Sequence, residues 1–91
     1  MSGEPSVEDL IEQIRGMKLA QFLFSTTVTL ASLAFGKLEA RELDEARLAI
    51  DALAALVPLL DGDARRDLGQ TLANLQLAYA DAVRAASPPN E

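Results

Sequence analysis

The feature that most constrains this chain is an uncharged stretch of 18 residues, Leu19 to Gly36, which lies between Lys18 and Lys37. On a helix, with about 100° between successive residues, the large apolar side chains of this stretch point in nearly every direction. A helix that is apolar around most of its circumference is normally covered by other protein or by lipid. The question that the sequence poses is therefore what covers this stretch.

Outside this stretch, apolar residues recur at spacings of three and four, and no run alternates as a half-buried strand does. The sequence therefore predicts an all-α fold, a bundle of three helical segments in one domain over residues 7–86, between loose tails at 1–6 and 87–91. The segments are expected at about 7–35, 43–60 and 64–86. The last two should form an antiparallel hairpin, because only three residues link them.

Residues at the segment ends suggest how each helix starts and stops. Ser6 is predicted to cap the first segment, and Gly36 to end it. Pro58 should kink or loosen the end of the second segment, because it cannot donate a helical hydrogen bond. Asp63 is predicted to cap the third segment.

The first segment changes its apolar face part of the way along. Val7, Ile11 and Ile14 lie on one line, and that line becomes polar after Gly16. The two halves must therefore bury different sides. Either the chain kinks near Gly16, or one continuous long N-terminal helix meets two different neighbours, and the sequence leaves both open.

A hairpin of two helices can cover only part of the apolar stretch, so we expect a partner. The most economical partner is a second copy, which predicts a homo-oligomer, in the simplest case a two-fold dimer. Small residues, from Ser25 to Gly36, form a stripe that either faces solvent or lets two backbones approach. The predicted interface residues are Phe22, Phe24, Ser25, Val28, Thr29, Ser32 and Phe35.

Two other uses of residues 19–36 stay open as alternatives. The chain could be a small accessory subunit of a larger protein assembly. It could instead associate with a membrane, since 18 residues reach the lower edge of transmembrane length. Six Ser, Thr and Gln side chains dilute the stretch, however, so the sequence disfavours a membrane and favours a cytoplasmic location.

Composition argues against catalysis and against nucleic acid. The chain contains no histidine and no cysteine, which removes the usual general base and the thiolate ligand, and it has no Gly-rich phosphate loop. We therefore expect no enzyme activity, no cofactor and no metal. The net charge of −6, with basic residues spread along the chain, disfavours binding to phosphate backbones.

Three groups of charged residues have both ordinary and functional interpretations. Asp61, Asp63 and Asp67 lack the closing glutamate of a calcium loop and are typical of a helix start. Arg47 and Asp51, one turn apart, predict either a surface ion pair or a structural pair at an interface or against the first helix. The acidic run from Glu39 to Glu45 predicts solvated ion pairs or a docking patch for a basic partner.

Several segments together resemble a family of small bacterial proteins, domain of unknown function 1844 (DUF1844). The resemblance covers about residues 21–83. Its most specific part is Ala46-Arg47 followed by Ile50-Asp51 and Leu53, and it also includes Phe22-Leu23-Phe24-Ser25 and Leu75-Gln76-Leu77-Ala78-Tyr79. The family's Pro- and Gly-containing turn after the first helix, and its longer link before the last, do not occur here. The resemblance implies a helical fold and no assigned activity.

Overall fold

The structure is a computed structural model that describes residues 6–15 and 18–86. Helices are α1 (Val7–Arg15), α2 (Leu19–Glu39), α3 (Leu43–Leu56) and α4 (Gly62–Ala86), with a 3₁₀ turn (Val57–Leu59) between α3 and α4. The described residues contain no strand, which confirms the all-α expectation. Residues 1–5 of the expected tail at 1–6, the whole expected tail at 87–91, and Gly16 lie outside the described residues.

The predicted first segment forms two helices. α1 ends at Arg15, and Lys18 has an extended backbone (φ −75°, ψ 133°) directly before α2. The change of apolar face along the sequence therefore coincides with the end of one helix and the start of another.

α1 has a well-defined start but no buried residue. The Asp9 amide donates to Ser6 Oγ at 3.1 Å, and the Ser6 amide donates to Asp9 Oδ2 at 3.4 Å. This reciprocal capping box confirms the predicted cap at Ser6. Val7 and Ile14 of its apolar face are among the most exposed large hydrophobic residues of the chain.

The prediction that Gly36 ends the first segment is wrong. α2 continues to Glu39 because Leu38 still packs against the core. The helix ends in a Schellman turn, in which the Glu42 amide donates to the Lys37 carbonyl at 2.9 Å and the Arg41 amide to the Leu38 carbonyl at 3.1 Å. Arg41 takes the left-handed conformation (φ 64°) that glycine usually adopts in this turn.

The boundaries of the last two helices also differ from the predicted ones. α3 ends at Leu56 rather than near Leu60, because Pro58 lies in the 3₁₀ turn, as its missing donor predicts. α4 begins at Gly62, before the predicted cap Asp63. The Asp61 carbonyl accepts the first hydrogen bond, from the Arg65 amide at 3.3 Å, while the Asp63 carboxylate pairs with Arg66.

The directions of the helices follow from what their ends contact. The start of α2, at Ala20 and Leu23, shares a groove with Leu60 and Ala64, where α4 begins. The end of α2, at Phe35, shares a groove with Ala82 near the end of α4. α2 and α4 therefore run in the same direction. α3, which links them in the chain, runs antiparallel to both.

The core has an uneven composition. α3, the turn and α4 supply large buried side chains such as Leu53, Leu60 and Leu75, whereas the fully buried positions of α2 hold only Thr27, Ala31 and Ala34. Because these side chains are small, α2 can approach α3 closely. Most large side chains of α2 consequently lie outside the core.

Arg41→Gly should stabilise the protein. A non-glycine residue in the left-handed region costs about 1–2 kcal/mol of stability. Glycine removes this cost, but its greater backbone freedom in the unfolded state offsets part of the gain. We expect a gain of about 0.5–1 kcal/mol and a rise of a few degrees in Tm, measured by thermal unfolding at fixed protein concentration. The control Ala73→Gly, at an exposed position in the middle of α4, should lose about 1 kcal/mol. A lower Tm for Arg41→Gly would contradict the role of the turn.

Candidate interaction surface

The candidate site is the outer face of α2, the side of this helix that points away from α3 and α4. Phe22, Phe24, Val28 and Phe35 remain 41%, 45%, 39% and 44% exposed. All four belong to the interface set that the sequence predicts. The two neighbouring helices therefore leave the largest side chains of α2 in contact with solvent.

The exposed apolar residues of α2 form two rows. On the side of α4, Phe24, Val28 and Phe35 form the α4-side row; its Phe24 and Phe35 border the grooves between α2 and α4. On the side of α3, Leu19, Phe22 and Leu33 form the α3-side row. Leu33 shares a groove with Leu48 of α3, so this apolar surface extends onto the next helix.

Small residues separate the two rows. Ser25, Thr29, Ser32 and Gly36 are all exposed and lie opposite the buried side of α2. The Thr29 hydroxyl donates to the Ser25 carbonyl at 2.9 Å, so its donor is already used within the helix. The side chains at the centre of the surface are therefore shorter than those of the two rows, and a second helix could approach closely there.

Sequence reasoning missed the one described buried polar residue, Thr27. Its Oγ1 donates to the Leu23 carbonyl one turn earlier, so the buried hydroxyl has a partner in its own helix. Leu23, Thr27, Ala31 and Ala34 are three and four residues apart and therefore share one side of α2, but this spacing alone does not show that the shared side faces the core. The uniform apolarity of the stretch hid this spacing.

Charged residues at the start of α3 are partly paired within the chain. Lys37 Nζ lies 2.8 Å from Glu42 Oε1 and 3.8 Å from Glu45 Oε1. The hydrogen bond that Lys37 donates to Glu42, and the negative charge of Glu42, raise the pKa of Lys37, with a smaller contribution from Glu45. Part of the predicted acidic run therefore joins the end of α2 to the start of α3.

The predicted pair of Arg47 and Asp51 forms, with Arg47 Nε 3.9 Å from Asp51 Oδ2. Both side chains are largely exposed, on the surface of α3. Exposed pairs of this kind contribute little to stability. A role at an interface stays a prediction.

The described residues contain no group of three or more acidic side chains, or other common ligands, that could hold a metal ion. Among them, α2 is the helix whose length and composition would allow it to cross a membrane, and only 17% of its most apolar window is buried. Core helices of soluble proteins, which are mostly buried, and signal sequences pass the same test. Comparison of the chain with protein-family models, with curated proteins and with solved structures finds no match. The resemblance to domain of unknown function 1844 therefore stays a prediction.

Ala34→Leu should destabilise the fold. Ala34 is fully buried where α2 packs on its neighbours, and a larger side chain there must displace them, at a cost of about 1–3 kcal/mol. The same change at exposed Ala55 of α3 should leave stability nearly unchanged. Urea unfolding of both variants measures the difference. Equal stabilities would show that α2 does not pack tightly through its small residues.

Proposed function

We propose that this chain is a non-catalytic helical bundle that associates with itself, as a dimer, through the outer face of α2. The observation that carries the proposal is the exposure of Phe22, Phe24, Val28 and Phe35 on a helix whose opposite side is in the core. A contiguous apolar patch of this kind is rare on soluble monomers and usually marks an interface.

The overall dimensions indicate that the single chain buries less of its surface than a compact monomer does. The accessible surface of 6734 Å² exceeds the roughly 5100 Å² expected for a compact monomer of this mass. The radius of gyration is 17.1 Å, against about 12 Å for a compact chain of 91 residues. α1, which has no buried residue, contributes to this excess.

The size of the surface fits a dimer. With about 200 Å² for each large side chain, the six residues of the two rows expose on the order of 600 Å². A standard interface buries about 800 Å² on each partner, of which roughly 60% is apolar. The outer face of α2, with its small polar centre, therefore has the area and the polarity that a stable dimer needs.

Membrane association is a second candidate, because α2 is long and apolar enough to span a bilayer. Its buried residues argue against that use. Thr27, Ala31 and Ala34 face α3 and α4, and insertion of α2 would have to separate it from these charged helices. A larger assembly, in which a different protein covers the same face, is the remaining alternative.

Sedimentation velocity of the purified chain at micromolar concentration, without detergent, tests the proposal. We expect a soluble species of twice the monomer mass. A monomer over the whole concentration range would overturn self-association. Protein that stays in solution only with detergent would favour the membrane candidate instead.

Substitutions locate the interface. Phe24→Ser and Phe35→Ser should each shift the dimer towards monomer, by at least tenfold in Kd, because each removes an exposed aromatic ring from the proposed contact. The control Leu77→Ser changes a side chain that is more exposed, at 68%, on the outer side of α4. This control should dimerise like the unsubstituted chain. If all three variants behave alike, the interface is elsewhere.

A further inference from the structure

We infer that two copies pair through α2 in antiparallel orientation, about a two-fold axis that passes beside Thr29. This inference rests on the proposed self-association and adds the geometry of the contact. The exposed apolar rows require a cover of the same length as α2, and a second α2 supplies one. Four independent features of the helix favour this arrangement.

The first feature is the position of Thr29. α2 runs from Leu19 to Glu39, so Thr29 is its midpoint. An antiparallel pair centred there places Leu19 of one copy opposite Glu39 of the second copy. The two helices then cover each other along their whole length, with opposed macrodipoles, which is the favourable orientation for neighbouring helices.

The second feature is the alternation of large and small residues along the outer face. The positions 22, 25, 29, 32 and 36 have the alternating spacing of three and four that a coiled-coil seam requires. The antiparallel register places Phe22 opposite Gly36 of the second copy, and Ser25 opposite its Ser32. A parallel pair would instead place Phe22 against Phe22 and Gly36 against Gly36, with a clash at one end and a gap at the other.

The third feature is Gly36 itself, a glycine inside a helix. Its φ is not in the positive range that requires glycine, and a Cβ built there would meet no described atom within 4 Å beyond its neighbours and its own helix backbone. Glycine weakens a helix interior relative to alanine, and none of the described residues accounts for it. The ring of Phe22 from a second copy would fill the space that the missing side chain leaves.

The fourth feature is the pairing of the flanking residues. A two-fold axis perpendicular to both helices keeps the α4-side row of each copy on the same side of the pair. Val28 and Phe35 then lie on the same flank of the contact as Val28 and Phe35 of the second copy, and Val28 lies near its own equivalent at the axis.

Cysteine cross-linking tests the orientation cleanly, because the chain has no cysteine of its own. Helices about 9–10 Å apart place facing Cα atoms about 4.5–5.5 Å apart, which a disulfide can bridge. Under mild oxidation, Thr29→Cys should form a covalent dimer with itself. Ser25→Cys alone and Ser32→Cys alone should each form at least fivefold less covalent dimer than Thr29→Cys. A mixture of these two variants should cross-link, because the antiparallel pair places position 25 near position 32 of the second copy. Leu77→Cys on α4 is the control for random collision.

The outcomes separate the inference from the proposed function. Equal cross-linking of all three single variants would mean a parallel pair and would overturn the inference. If sedimentation shows a dimer but none of the three single cysteine variants cross-links, the antiparallel arrangement is overturned and self-association stands. A monomer by sedimentation would overturn both.

Gly36→Leu provides a second, independent measurement. Nothing in the monomer opposes the larger side chain, so helix content by circular dichroism should be unchanged or higher. The dimer should weaken at least tenfold in Kd, because the leucine would occupy the space assigned to Phe22 of the second copy. The control Ala73→Leu, on an exposed position of α4, should leave dimerisation unchanged. A Gly36→Leu dimer as strong as that of the unsubstituted chain would overturn the inference.

Discussion

The packing of α2 on α3 and α4 through small side chains determines most other properties of this fold. It is possible because the fully buried positions of α2 hold only threonine and alanine. A helix has a limited circumference, so placing the small residues inside moves the large ones outwards. The burial of Ala34 and the exposure of Phe35 are therefore two results of one choice of residues along the helix.

This arrangement divides the work of stabilisation between the helices. α3, the turn and α4 supply the large buried side chains, including Ile50, Leu53, Leu68 and Leu75, and α2 supplies the surface on which they close. Each large residue of α2 that lies outside the core leaves apolar surface that folding of the single chain does not bury. A second copy would convert that unused area into binding energy.

Much of the fold could be predicted from the sequence, because the spacing of three and four is strong in the second half of the chain. The helical class, the cap at Ser6 and the effect of Pro58 all follow from local chemistry. The end of α2 could not be predicted in this way. Gly36 is the residue that normally stops a helix, yet the packing of Leu38 carries the helix past it, and Arg41 takes the strained position instead.

The candidate surface was predictable in outline and not in detail. A stretch that is apolar on all sides indicates excess apolar area but does not show which residues face the core. The inward position of Thr27 depends on α3 and α4, and so does the division of the outer residues into two rows. Only tertiary packing shows that Ala31 and Ala34 are buried while Phe24 and Phe35 are exposed.

The capped but unburied α1 has a consequence for how the chain can vary. Its nine residues contribute nothing to the core, and its start is stabilised by the Ser6–Asp9 capping box alone. A helix this short is marginal in water by itself, so α1 should open and close without disturbing the rest of the molecule. The amino-terminal end is therefore where this protein can be shortened, extended or fused to another domain at little cost to its folding.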